Sequence, residues 1–196
     1  MTTTRVLHRF APPALVAIAL ACVALPAYAA PIIDFESLAV DEVVTTQFAP
    51  DGALFGNAVT LVSGVSLNEI DFPPSSGTNV ISGLGSGALG IGIITAAVEV
   101  SFQLTTADIA VVSYYDSASA LIGQTQVAPN LGSHTLVQLH AAGAPIAGVR
   151  IASLATGDAF FLTVDDVQVT VPEPSAFLAL AVGLLPVAAA IRRHRA

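Results

Sequence analysis

The sequence predicts an all-β protein: a single β-sandwich or jelly roll of about eight to ten strands, flanked by an N-terminal signal helix and a C-terminal transmembrane helix. Three observations lead there. The 196-residue chain is 54% hydrophobic with a mean hydropathy of +0.78, and the apolar excess is concentrated in residues 10–25 and 176–191, which carry no charge. The roughly 140 residues between them have ordinary composition and suffice for one domain with its own core. Within that middle, short runs alternate apolar and polar with period two, and no stretch sustains a helical period. A multidomain enzyme, a multi-span transporter and a disordered chain are all excluded by this division.

The N-terminal element reads as a secretory signal. Residues 1–9 are short and positive through Arg5 and Arg9, and an apolar run follows. Ala27-Tyr28-Ala29 then places small side chains at the −3 and −1 positions of a signal peptidase site, so cleavage is expected after Ala29. The alternative is a retained anchor helix. The one cysteine, Cys22, follows Ala19-Leu20-Ala21, which lacks the large aliphatic residue of a lipoprotein signal. It leaves with the signal, so the mature domain at 30–171 has neither disulfide nor thiol chemistry.

The strand signals come next in chain order: Ile32–Phe35, Val59–Val62, Val98–Leu104, Ile109–Tyr115, Leu121–Val127, Thr135–Leu139, Ala147–Ile151 and Phe160–Val171. The clearest is Val98–Leu104, apolar on even numbers and polar on odd. Pro50-Asp51-Gly52, residues 73–77, residues 129–132 and Thr156-Gly157-Asp158 supply turn chemistry between runs. Residues 85–90 match G-x-G-x-x-G, but a dinucleotide site needs a helix after the glycines. A β-like run from Ile93 follows instead, so residues 75–92 read as a mobile loop. In the last strand the apolar face changes from even positions (Phe160, Leu162, Val164) to odd ones (Val167, Val169, Val171). That switch predicts a β-bulge at Asp165-Asp166 that turns the carboxylates outward.

Charge narrows the function. All six basic residues are Arg, and only Arg150 lies in the middle, against thirteen acidic residues from Asp34 to Asp166, a net charge of −12. Such a surface repels nucleic acid and anionic lipid, and it suits cations or neutral sugars. The two histidines of the middle, His134 and His140, lie about 20 Å apart along an extended strand and read as surface or turn residues. No G-x-S-x-G elbow is present. Paired carboxylates at Asp41-Glu42, Glu69/Asp71 and Asp165-Asp166 leave glycosidase chemistry as an alternative, although the balance points to a protein that is not an enzyme. Tyr114-Tyr115-Asp116 is the candidate ligand site. Neighbouring strand residues face opposite ways, so one ring packs inward while the other can stack on a sugar beside the Asp116 acceptor. The plainer reading is a β-rich pair ending a strand.

The C-terminus carries three parts without a gap. Val171-Pro172-Glu173-Pro174-Ser175 is a stiff turn that cannot join a helix. Residues 176–191 reach about 24 Å as a helix, near the thickness of a bilayer core. Arg192, Arg193 and Arg195 form a basic cluster that stays cytoplasmic. This order resembles the PEP-CTERM sorting tail of exported bacterial proteins, which is also labelled an ice-binding-protein C-terminal region. The resemblance covers about the last 25 residues and implies an exosortase that recognises Pro172-Glu173-Pro174 and removes the helix. Transient inner-membrane anchoring and delivery to the cell surface or exopolysaccharide matrix would follow. A permanent tail anchor is the alternative.

The middle resembles the jelly-roll modules found in PEP-CTERM proteins and related to carbohydrate-binding domains. The likeness rests on Asp34-Phe35-Glu36 with residues 44–48 at its opening, and on residues 157–161 with 164–167 at its close. In such modules a structural calcium often sits near the first and last strands, which implies Asp34, Glu36, Asp165 and Asp166 as oxygen ligands. Solvated turn carboxylates are the other reading. The functional expectation is a non-catalytic, carbohydrate-associated or adhesion module sorted to the surface; a polysaccharide hydrolase and a purely structural surface protein are the alternatives.

Overall fold

The computed structural model describes residues 31–171. The signal cleavage site at Ala27 and Ala29, the Pro172-Glu173-Pro174 motif, the 176–191 segment and Arg192, Arg193 and Arg195 lie outside the described residues. Two antiparallel sheets account for nearly all regular structure, with one short 3-10 turn at Ala49–Asp51. The strands are β1 (Ile32–Ile33), β2 (Val43–Val44), β3 (Ala53–Gly56), β4 (Ala58–Val62), β5 (Asn79–Gly83), β6 (Leu89–Ala97), β7 (Glu99–Thr106), β8 (Ala110–Tyr115), β9 (Leu121–Val127), β10 (Thr135–His140), β11 (Ile146–Ser153) and β12 (Leu162–Thr170). One sheet has the order β10-β7-β12-β5-β4-β2, with β1 also on β12; the other has the order β3-β6-β11-β8-β9.

The core lies between these sheets and draws on both. In β7, Val100, Phe102 and Leu104 are fully buried while Glu99, Ser101 and Gln103 are half-buried, the alternation expected of a strand with one face inward. Opposite them in the same cluster are Leu89, Ile91, Val112, Ile146 and Ile151 from the second sheet. Phe35, Phe48 and Phe55 pack edge to face, with centroids 5.3 to 6.0 Å apart. Residues 29–172 form one compact unit, and among the described residues its core cluster runs from Ile33 to Val169.

The bulge in β12 is present. Its pairing with β7 slips between Asp165 and Gln168, and Asp166 adopts φ +50°. Leu162 and Val164 face the core before the slip and Val167 and Val169 after it. β12 also changes partner there, pairing with β5 at Thr163–Val164 and with β1 at Val167–Gln168.

Two expectations need correcting. Residues 75–92 are not one mobile loop: β5 is buried at all five positions, and β6 begins at Leu89. Asn79-Val80-Ile81-Ser82-Gly83 is covered on both faces, so it shows no polar–apolar alternation to read. No helix follows the glycines at 85–90; they form a turn that runs into β6. Phe160 is also misplaced as a core strand residue, since it precedes β12 and is 61% exposed.

Candidate functional site

β8 and β11 together build the site around the tyrosine pair. Tyr115 pairs with Gly148 and Tyr114 with Val149, and the β8–β9 register slips between the two tyrosines. Tyr114 packs against the core, its ring lying over Gly123 of β9 in the space a Cβ would occupy. A side chain at 123 would require the Tyr114 ring to shift. Tyr115 turns to the other face, toward a shallow depression of about 440 Å³ formed with Asp116, Ser117, Ser119, Ala147, Gly148 and Val149.

Asp116 holds the floor of the depression in shape. Its Oδ1 accepts the backbone N–H groups of Ala118 (2.9 Å) and Ala120 (2.8 Å), and its own N–H donates to the Ala120 carbonyl (3.0 Å). This is an Asx turn, with Ser119 at φ +62°. Asp116 Oδ2 has no hydrogen-bond partner among the described residues and remains an acceptor beside the Ser117 and Ser119 hydroxyls. A half-exposed aromatic ring, one free carboxylate oxygen and two hydroxyls around an open depression can bind a polar ring that has one apolar face. Only one carboxylate lines it, whereas glycoside hydrolysis requires two.

The four carboxylates considered for calcium make the following hydrogen bonds in this structure. Asp34 Oδ1 accepts the Glu36 N–H (3.2 Å). Glu36 Oε1 accepts the N–H groups of Thr78 (2.8 Å) and Asn79 (2.7 Å), while its Oε2 accepts the Thr78 hydroxyl (3.2 Å). Asp165 Oδ2 accepts the N–H groups of Ser75 (2.8 Å) and Ser76 (3.0 Å), its Oδ1 accepts the Asp166 N–H (2.8 Å), and the Ser76 hydroxyl donates to Asp166 (2.6 Å). Glu36 and the Asp165-Asp166 bulge therefore grip consecutive parts of residues 75–79. Gly77 lies between them at φ +53°, where a Cβ would collide with the Glu36 carboxyl. Asp165 is 3% exposed, so it does not face outward as the sequence suggested.

Burial pushes the Asp165 carboxyl up to about 6 from 3.8, against the N–H donors of Ser76, Asp166 and Ser75 and together with the neighbouring Asp166 charge. Among the described residues no three acidic or histidine side chains gather around one point.

A second concavity, which the sequence did not reveal, lies on the outer face of β4, β5 and β12. It encloses about 310 Å³ and is largely apolar, with Val59, Leu61, Leu67, Phe72, Phe160 and Phe161 on its walls. Phe160 and Phe161 are 61% and 54% exposed and stand edge to face at 5.1 Å. The alternation pattern put Phe160 in the core; only its exposure distinguishes it. His134 and His140 are exposed, and His140 Nδ1 lies 3.7 Å from Glu99 at the sheet edge.

No family model matches the chain, and no curated protein matches it. Among solved structures, the K2 cleaved adhesin domain of Lys-gingipain is similar over 71% of this chain and 98% of its own, at 15% identity and a TM-score of 0.45. A variant of the CBM29-2 carbohydrate-binding module is similar over 60% and 79%, at 10% identity and a TM-score of 0.41. A family 6 carbohydrate-binding module is similar over 74% and 95%, at 10% identity and a TM-score of 0.39.

Proposed function

We propose that this chain is a non-catalytic, carbohydrate-associated or adhesion module that meets sugar at the depression beside Tyr115. The observation that carries this reading is the combination there of an outward aromatic ring, the free Asp116 Oδ2 and the Ser117 and Ser119 hydroxyls on a rigid turn. A neutral polysaccharide also suits a domain of net charge −12, which would repel an anionic one. The hydrolase reading has less support, since the Tyr115 depression has one carboxylate and the apolar concavity has none.

The test is affinity electrophoresis of residues 30–171 through gel containing the producing cell's exopolysaccharide. Retardation is expected, and Tyr115→Ala or Asp116→Ala should weaken it at least about tenfold, roughly 1.4 kcal/mol. Tyr114→Phe should not. Mobility unaffected by the polysaccharide would instead favour a structural surface protein.

The same proposal includes export and sorting. Signal peptidase would cut after Ala29, and an exosortase would act at Pro172-Glu173-Pro174 once Arg192, Arg193 and Arg195 had held the tail in the inner membrane. Removing residues 172–174 is then expected to leave an uncut protein in the membrane fraction. Unaltered processing of that deletion would argue for a different route.

A further inference from the structure

We infer that the domain pairs with a second copy of itself through the free edge of β9. This strand ends the five-stranded sheet, with β8 as its one neighbour. Leu121 and residues 124–126 are exposed, Leu121 at 58%. An edge strand offers a row of unpaired N–H and C=O groups, and soluble proteins ordinarily blunt such edges by shortness, charge or proline. The opposite edges here follow that rule: β2 has two residues and directly follows Asp41-Glu42, and β3 has four and follows Asp51 and Gly52. At the remaining edge, β10 ends at His140 against Glu99.

None of these protections applies to β9. It is seven residues long, contains no proline, and lies within residues 117–149, a stretch with no Asp, Glu, Lys or Arg.

Charge selects the partner. β10 lies in the same stretch but its neighbour β7 carries Glu99, whereas β8 and β9 carry no charge and the acidic residue beside them is Asp116 at their turn, so two acidic copies repel each other less along β9 than over their carboxylate-bearing faces. A twofold antiparallel pairing of β9 with β9 is self-complementary and closed, and it satisfies the edge groups of both copies by joining the two sheets into one. This inference is independent of the sugar reading. If both hold, the dimer displays two Tyr115 depressions on one continuous sheet and gains avidity for a repeating polymer.

Sedimentation equilibrium of residues 30–171 across the micromolar to submillimolar range tests it. A concentration-dependent dimer is expected. Gln124→Glu combined with Gln126→Glu should weaken it at least tenfold by placing like charges along the paired edges; the Ser113 hydroxyl, which now accepts from Gln124 at 2.8 Å, can donate to the new carboxylate. Gln126→Glu alone, at a side chain with no hydrogen bond among the described residues, should act in the same direction. Leu54→Glu on β3 should change nothing. A wild-type monomer throughout, a dimer indifferent to the β9 substitutions, or equal loss from Leu54→Glu would each overturn the inference.

Discussion

Phe35→Ala is expected to lower the stability of residues 30–171 by about 3–5 kcal/mol, read as a fall in urea midpoint without a change in slope. The ring is fully buried and touches both Phe48 (5.3 Å between centroids) and Phe55 (5.5 Å), so its removal leaves a cavity that two other rings cannot close without leaving their own contacts. The backbone adds to the case. Phe35 has φ +62°, a conformation that costs a bulky residue energy and persists only where its surroundings fix it. Here the Phe35 carbonyl accepts the Leu38 N–H (3.1 Å) and the Asn79 Nδ2 (3.1 Å), while the ring fills the core. A loss below about 1 kcal/mol would mean that the aromatic cluster does not organise this end of the sandwich.

Asp165 gives the second large effect, and it depends on pH. Its folded-state value of about 6 lies above the ordinary 3.8, so the folded domain binds the proton more tightly than the unfolded chain between those values. The associated stability is therefore complete below about pH 4 and is lost as pH rises through 6, a swing of about 3 kcal/mol from this group alone. Asp165→Asn should abolish that dependence. At pH 7 the variant escapes the burial of a charge but turns an amide donor toward one of the three N–H groups. It is expected there to lie within about 1 kcal/mol of the wild type. At pH 4 it should be less stable by about 2–3 kcal/mol, because the wild type has by then recovered its protonation advantage. Urea titrations of both proteins at several pH values decide the matter, and parallel profiles would show that Asp165 does not titrate in this range. Glu42 works in the opposite sense: the Ala39 N–H and the Gln47 amide hold its carboxyl below the ordinary range.

The grip of Glu36 and Asp165 on residues 75–79 shows where sequence reading stops. Both carboxylates stood out in the sequence, and so did the Pro-Pro-Ser-Ser-Gly turn, but nothing in either segment says that one receives the other across 42 or 90 positions. A carboxylate that accepts several N–H bonds and one that ligates a cation look the same in sequence, since both need an acidic residue beside a turn. The tyrosine pair was more legible, because strand alternation puts the two rings on opposite faces, although only the structure shows that Tyr114 is the inward one. The Phe160-Phe161 pair was not. Its rings continue an apolar pattern whose core-facing part starts only at Leu162, and the place where β12 begins is set by pairing with β5 and β7.

The sequence by itself determined the all-β class, the bulge in the last strand, the acidic and cysteine-free middle, and the two apolar ends. Each of these is written in local composition or in a two-residue period, which a strand imposes wherever one face is buried. Tertiary structure alone decided that β5 is a buried strand, that Glu36, Asp165 and Asp166 clasp a loop, and that β9 is left as an open edge. Those outcomes depend on which segments meet across the sandwich, and burial on both faces or a missing neighbour leaves no periodic mark in the chain.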